Sequence, residues 1–396
     1  MRVAFLTAGG IAPCLSASIG ALIKEYSKSD ESFEFIGYLN GYKGLLKGNK
    51  IEIPEDIDFD TLSTFGGSFL GNSRVKLTNV DDCIKNGYIK SGEIPLEIAA
   101  EQLKKDRIDI LHTIGGDDTN TTAGDLVAFL LSEDYKLAVV GMPKTIDNDV
   151  KPIEQTLGAY TAAEQTATFF HNIVNENTTS SRQLIIHEVM GRNCGWLTGY
   201  SAYLYRESLN NKKFIPELEI YKSKWDIHAI YIPEINFDLN LEVKRLNKVM
   251  DKFDCVNIFL SEGAGLDNII NEKTNKGEDI PRDAFGHVRL DEINPGQWFA
   301  RYFKNKLNCD KVLVQKSGYF ARSASPNSLD LKLIEDSAAV AVNAALLQNS
   351  GVVGLRDDTK VIELIDFNEI KGGKIFDISI EWFQAMLKNI VLNNYS

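Results

Sequence analysis

The chain is 396 residues long, 44% hydrophobic and 25% charged, with a formal net charge of −12. That length allows two domains with two sizeable cores, and the acidic balance argues against nucleic acid or an acidic membrane as the main partner. No apolar run approaches the roughly 20 residues that span a bilayer, and the five cysteines are scattered without zinc-site or disulfide spacing.

The first ten residues carry too short an apolar stretch for a secretory signal. They read as a strand, Val3 to Leu6, entering a turn at Gly9-Gly10, where glycine lets the backbone amides approach a phosphoryl group. A helix is expected to run from there to about Ser27, with Ser16 as its cap. Phe33 to Tyr38 predicts a second strand. Gly66-Gly67-Ser68-Phe69-Leu70-Gly71-Asn72-Ser73-Arg74 is a glycine-rich loop whose arginine is either a phosphate ligand or solvated. Residues 75 to 93 are polar and poorly patterned, and Pro95 to Lys105 predicts a helix with proline in its first turn.

Two polar runs come next, each after an apolar strand, Ile108 to Ile114 and Leu137 to Met142. In an open α/β sheet, ligands sit outside the carboxyl ends of strands. Gly115-Gly116-Asp117-Asp118 feeds a helix with Ala123, Leu126, Val127, Leu130 and Leu131 on one face, and its opening amides suit a phosphate. A carboxylate at Asp117 beside an anion makes sense with a divalent cation between them, and magnesium suits oxygen ligands. Pro143-Lys144-Thr145-Ile146-Asp147-Asn148-Asp149 places an amine and two carboxylates within six residues. Singly, each run also reads as a turn with helix-capping aspartates; together, at consecutive strand ends, they favour a site.

Thr156 to Glu176 predicts a long helix, and Arg182 enters a strand from Leu184 to Val189. Met190-Gly191-Arg192 sits at a strand-to-helix junction, where an arginine can bind phosphate bidentately. Ala229 to Ile232 and Val256 to Leu260 predict strands around a helix from about Leu239 to Phe253. Glu262 comes after the second as a ligand or an exposed loop acid. Residues 267 to 282 are charged and polar, a surface excursion. Asp330 to about Leu347 is an alanine-rich helix suited to packing between domains. From Val361 onward a strand-like run and a final helix suggest structure, not chemistry.

Gly115-Gly116-Asp117-Asp118, Pro143 to Asp149 and Glu188-Val189-Met190-Gly191-Arg192 together resemble the phosphofructokinase family, in its pyrophosphate-using branch. Matching segments run from Phe5 to about Asp330. The resemblance implies an α/β fold of two similar three-layer αβα domains with mainly parallel sheets and the active site in the cleft between them. Residues 1–150 with about 325–360 would bind pyrophosphate and Mg2+, 151–324 the sugar phosphate, and 361–396 would form a C-terminal packing extension. The implied reaction is reversible transfer from diphosphate to the C1 hydroxyl of fructose 6-phosphate, giving fructose 1,6-bisphosphate and phosphate. The implied setting is the cytoplasm, as a homodimer or homotetramer.

By the same resemblance, Asp147 is the base for the hydroxyl proton, with Thr145 and Ile146 beside the substrate and Asp149 in support. Asp117 holds magnesium, while Arg74, Lys144 and the Gly10 amide offset phosphoryl charge. Met190, Gly191, Arg192, Glu262, Tyr319, Phe320, Ala321 and Arg322 hold the sugar phosphate, and Arg182 reaches a neighbouring subunit's 6-phosphate. Departures exist: Ile11 replaces the family's acid after the first glycine turn, and one extra residue separates Arg182 from Met190-Gly191-Arg192. Phe285-Gly286-His287-Val288-Arg289 mimics a family phosphate-binding segment, but Gly318 to Pro326 matches it better.

Donor choice rests on Asp118 and Lys144, where ATP-dependent relatives usually carry glycines. A carboxylate at 118 repels a nucleotide's α-phosphate, and an ammonium at 144 supplies charge to a bare diphosphate. The alternatives are an ATP-dependent 6-phosphofructokinase, a lipid or nucleotide kinase with a Gly-Gly-Asp loop, and a non-catalytic sugar-phosphate sensor.

Overall fold

The structure, a computed structural model, describes residues 1–282 and 288–395. Phe285, Gly286 and His287 of the mimic segment therefore lie outside the described residues. The chain divides into two compact units, Met1–Ala162 with Arg322–Lys374, and Ala163–Ala321 with Ile375–Ser396.

In the first unit the strands are β1 (Arg2–Thr7), β2 (Glu34–Tyr38), β3 (Lys50–Ile53), β4 (Ile110–Gly115), β5 (Ala138–Pro143) and β6 (Ile153–Gln155). The second unit contributes β7 (Gln183–Val189), β8 (Ala229–Tyr231), β9 (Cys255–Ser261) and β10 (Lys311–Lys316). The chain then returns to the first unit with β11 (Gly351–Arg356) and β12 (Ile362–Ile365).

The first sheet runs β12-β11-β5-β4-β1-β2-β3, with β6 beside β11. Its centre is parallel, and β3, β6 and β12 join antiparallel. β1, β4 and β5 are near-continuous apolar runs, buried throughout apart from Arg2, as expected where helices cover both faces. Ala4, Leu6, Leu111 and Val139 pack in one core with residues of helices Tyr42–Lys47, Pro95–Asp106 and Asp117–Ser132. On the other side His112 stacks on Phe5 and shares a 2.8 Å hydrogen bond with the Tyr26 hydroxyl of helix Leu15–Tyr26. Burial pushes His112 down to about 3, so it is a neutral core residue. Strand order reverses between β1 and β4, the switch point at which open α/β sheets open a crevice.

The second sheet, β10-β7-β9-β8, is wholly parallel. Leu184, Ile186, Val256 and Ile258 pack with residues of helices Leu239–Phe253 and Pro295–Lys306. Phe170, His187, Tyr205 and Phe259 form an aromatic cluster, in which burial again pushes a mid-strand histidine down to about 3.

Some expectations change. Ser16 does not cap its helix; Cys14 holds that position, and the Ser16 hydroxyl donates to Gly67 O at 2.8 Å, tying the helix to the glycine-rich loop. The long helix expected from Thr156 begins at Ala159 and gives way after Ile173 to a tighter turn. The alanine-rich helix, Ser328–Leu346, packs inside the first unit against helix Leu15–Tyr26 and strands β5, β11 and β12. The tail is not one extension: β12 pairs with β11 in the first unit, whereas helix Glu381–Tyr395 packs on helix Trp196–Asn210 in the second.

Asp330 is fully buried, and its carboxylate accepts the Gly158 and Thr161 amides at 3.0 and 2.7 Å. It thus caps the start of helix Ala159–Ile173, where an anion meets the positive end of the helix. Asp330→Ala leaves buried amides unpaired and should cost about 3 kcal/mol. Urea unfolding should show a lower midpoint with an unchanged slope, and a midpoint like wild type would remove Asp330 from this role.

Candidate active site

Strand register brings the candidate residues of the first unit together. Thr7 lies opposite Ile114, and Gly115 opposite Pro143, so three loops leave the same edge side by side: Ala8–Gly10, Gly115–Asp118 and Lys144–Asp149. Backbone bonds lock them, Ala8 N to Ile114 O at 3.0 Å, Gly9 N to Ser73 O at 2.8 Å and Lys144 N to Gly115 O at 2.8 Å.

Lys144 is buried, and its ammonium donates to Gly10 O at 2.8 Å. Gly9 is left-handed at φ +83°, a conformation that favours glycine, and a Cβ there would stand 3.1 Å from Nζ of Lys144. Burial pulls Lys144 down from 10.5 to about 8; Cys14 and Asp147 oppose the fall, and Arg322 and Arg74 deepen it. Arg322 donates from Nε to Ile11 O at 3.0 Å, and its guanidinium occupies the space of a Gly10 Cβ. Gly10 is therefore required for the arginine's approach as well as for any amide contact. Arg74 is exposed at the end of its loop, and Asn72 before it donates to Gly10 O at 3.2 Å.

The loop after β5 is held rigidly. Asn148 is left-handed at φ 55°, a conformation asparagine tolerates, and it turns the chain between the two aspartates. Its amide donates to Glu154 O at 3.0 Å and its carbonyl oxygen accepts the Thr156 amide at 2.9 Å. The Thr156 hydroxyl donates to Thr145 O at 2.7 Å, and the Thr145 hydroxyl accepts the Asp147 amide at 3.2 Å. Ile146 is buried. Asp149 is pushed above the usual carboxylate range by burial and then by the Asp117 charge; Thr145 and Lys144 oppose the rise.

Asp117 and Asp118 occupy the first turn of helix Asp117–Ser132, with Gly116 as N-cap. Asn120, buried one turn in, fixes that turn by donating to Gly115 O and Gly116 O at 3.0 and 2.9 Å. Asp118 pairs with Lys76 at 2.7 Å, a lysine from the stretch that showed no pattern in sequence. The acid at 118 thus has its own cation, while Lys144 serves the Gly10 loop.

The second unit positions its own candidate residues in the same way. Glu188 of β7 lies opposite Lys316 of β10 and pairs with it at 2.8 Å, while the Gly296 amide donates to the same carboxylate at 2.9 Å. Val189 lies opposite Ser261, which brings Met190-Gly191-Arg192 beside Glu262. Ser261 Oγ donates to Gly191 O at 2.6 Å, and the Glu262 amide to Val189 O at 2.9 Å. Burial, then the Glu188 charge, raises the Glu262 pKa; Arg192, the Gly191 amide and Lys316 hold it back. In the short helix Gly318–Arg322, Tyr319 is 75% exposed, Phe320 lies 5.4 Å from the Phe169 ring, and Ala321 is buried.

Arg182, the residue that the resemblance assigns to a neighbouring subunit's 6-phosphate, is engaged within this chain. Its guanidinium donates to Leu307 O, Asn308 O and Asp251 at 2.7, 2.8 and 2.9 Å, closing the end of helix Pro295–Lys306. A cation there is favoured by the helix dipole, and those bonds hold it within its own unit.

The phosphofructokinase family model matches residues 2–345. The chain belongs to the phosphofructokinase family. A pyrophosphate–fructose 6-phosphate 1-phosphotransferase of Methylomonas methanica is 53% identical to it over 98% of this chain and 96% of the relative. The protein of the same name from Mastigamoeba balamuthi is 51% identical over 98% of this chain and 95% of its own. The crystal structure of a pyrophosphate-dependent phosphofructokinase from Marinobacter aquaeolei superposes with a TM-score of 0.73 at 20% identity. It covers 100% of this chain and 91% of the other and shares the phosphofructokinase fold.

Lys144 should therefore lose its charge as pH rises through about 8. NMR of lysine-labelled protein should show one ammonium titrating near that pH, absent from Lys144→Met. Titration of every lysine near the ordinary value of about 10.4 would contradict this geometry.

Proposed function

We propose that the chain is a pyrophosphate:fructose-6-phosphate 1-phosphotransferase, moving a phosphoryl group reversibly between diphosphate and the C1 hydroxyl of fructose 6-phosphate. The observation that carries the reading is the buried Lys144 ammonium on the Gly10 carbonyl, three residues before Asp147. Full-length likeness to proteins bearing that name supports it.

Phosphoryl transfer asks for in-line positioning, neutralised oxygens and a group to take the hydroxyl proton. Asp147 takes the C1 hydroxyl proton, on a loop that Asn148 and Thr156 keep from moving. Arg74, Lys144 and the Gly10 amide offset charge on the transferring group. Arg192, Tyr319 and Arg322 hold the 6-phosphate, and Met190, Gly191 and Glu262 lie along the sugar. The Arg322 bond to Ile11 O ties that phosphate-binding segment to the donor loop. Asp118 takes up the space of a nucleotide's α-phosphate, and Lys76 offsets its charge.

Among the described residues no cluster of three metal-ligating side chains occurs. That suits Mg2+, which usually takes one or two carboxylates together with substrate phosphates. Asp117 is the ligand and Asp149, which feels its charge, lies close enough to share the task. When bound, Mg2+ neutralises donor oxygens. Among the described residues no helix is long and apolar enough to cross a membrane; we place the enzyme in the cytoplasm as a homodimer or homotetramer.

A coupled assay with Mg2+ and fructose 6-phosphate should show turnover with diphosphate and none with ATP; the reverse would overturn the donor assignment. Asp147→Ser should lower kcat by roughly 10²–10⁴, the reach of a positioned base, and near-normal turnover would exclude Asp147 as that base. Lys144→Gly should cost on the order of 10² in kcat if its charge acts in the transition state. A change confined to the KM for diphosphate would make it a ground-state binder.

A further inference from the structure

Lys371-Gly372-Gly373-Lys374, the last residues of the first unit, run along the site. Lys151 and Lys371 exchange both backbone hydrogen bonds, at 2.7 and 3.1 Å, and the Lys374 amide donates to Asp149 O at 2.9 Å. The Lys374 ammonium donates to Glu154 O and to Asp357 at 3.0 Å each, and to Ile153 O. Between these anchors Gly372 lies against Asp117. A Cβ there would stand 2.0 Å from Asp117 Oδ2 and 2.9 Å from Cγ, nearer than real Cβ atoms come. One short backbone segment thus touches the carboxylate of Asp117 and the main chain of Asp149.

We propose that Lys371–Lys374 is a positioning strap that sets the direction of the Asp117 carboxylate and holds the Asp149 loop beside it, and so tunes divalent-cation binding with the donor. This rests on the phosphotransferase reading above. Mg2+ and Mn2+ bind tightly only when their few protein oxygens stand at set directions, and groups that orient a metal ligand typically govern 10–100-fold in affinity. The strap supplies no ligand itself. It acts by contact at Gly372, where an added Cβ would push the Asp117 carboxylate aside, and by the Lys374 anchor that keeps the contact in place. Gly372 lies outside the left-handed region, unlike Gly373 at φ +77°, so alanine at 372 adds a methyl group against Asp117 without backbone strain.

The test is Mn2+ binding in the presence of diphosphate, monitored by electron paramagnetic resonance, in wild type, Gly372→Ala and Lys374→Met. Gly372→Ala should weaken Mn2+ about 10- to 100-fold and raise the half-saturating Mg2+ in turnover by a similar factor. The KM for fructose 6-phosphate and the thermal midpoint should stay near wild type. Lys374→Met should shift Mn2+ in the same direction by less. Wild-type Mn2+ binding in a folded Gly372→Ala, or an equal loss in sugar-phosphate KM, overturns the strap. Should Gly372→Ala not fold, Lys374→Met decides on the same Mn2+ readout. If wild type transfers nothing from diphosphate, the functional reading falls on its own, while the Mn2+ comparison still judges the strap.

Discussion

The in-register parallel pairing of β1, β4 and β5 is the constraint on which the candidate residues of the first unit depend. Because the side-chain period of a strand is two, a shift of one residue would carry every side chain to the opposite, differently packed face. It would also move Gly10, Asp117 and Asp147 out of line. The register is protected by what fills the strands: Phe5 opposite His112, and Leu6 opposite Thr113, all buried. A histidine here is tolerated because burial keeps it neutral and the Tyr26 hydroxyl pairs with it.

On that edge the protein places charges against its own overall field. The chain is acidic, −12 in formal charge, yet Arg322 and Arg74 both lie within electrostatic reach of Lys144. Burial, and then repulsion from those two arginines, depresses Lys144, while burial and Asp117 raise Asp149. Groups five residues apart are thereby displaced in opposite directions. In the proposed reaction a polyanion beside Lys144 would relieve the cation repulsion, and a divalent cation would relieve the repulsion between Asp117 and Asp149.

The fold was readable where local pattern decides structure. Apolar runs at β1, β4, β5, β7 and β9 announced buried parallel strands, and glycine-rich junctions announced the turns at their ends. The residues that hold the site were harder to read, because their partners are far away in sequence. Ser16 looks like a cap until Gly67 is seen to claim its hydroxyl. The bonds of Arg182 to the end of a helix more than a hundred residues later have no local signal either. Lys76 sits in an unpatterned stretch and gains meaning only from Asp118. Asn148, by contrast, had a local signal that was passed over: an asparagine between two aspartates is a natural left-handed turn.

The tail shows why chemistry and structure cannot be assigned to separate segments. Residues 361–374 form an antiparallel edge strand and then a glycine pair, features that suggest packing alone. Yet a base must stand within about 3 Å of the proton it removes, and a polar loop has no apolar core of its own to fix it. The Lys144–Asp149 loop is fixed instead by hydrogen bonds from both flanks: on one the Thr156 amide to the Asn148 side chain and the Thr156 hydroxyl to Thr145 O, on the other the Lys374 amide to Asp149 O beside the Lys151–Lys371 backbone pair. Those bonds join segments far apart in the chain, so their entropy of closure is met only once the sheet has formed. The proposed catalytic loop thus relies on Lys371 and Lys374, residues that the chain supplies only after it has returned to the first unit.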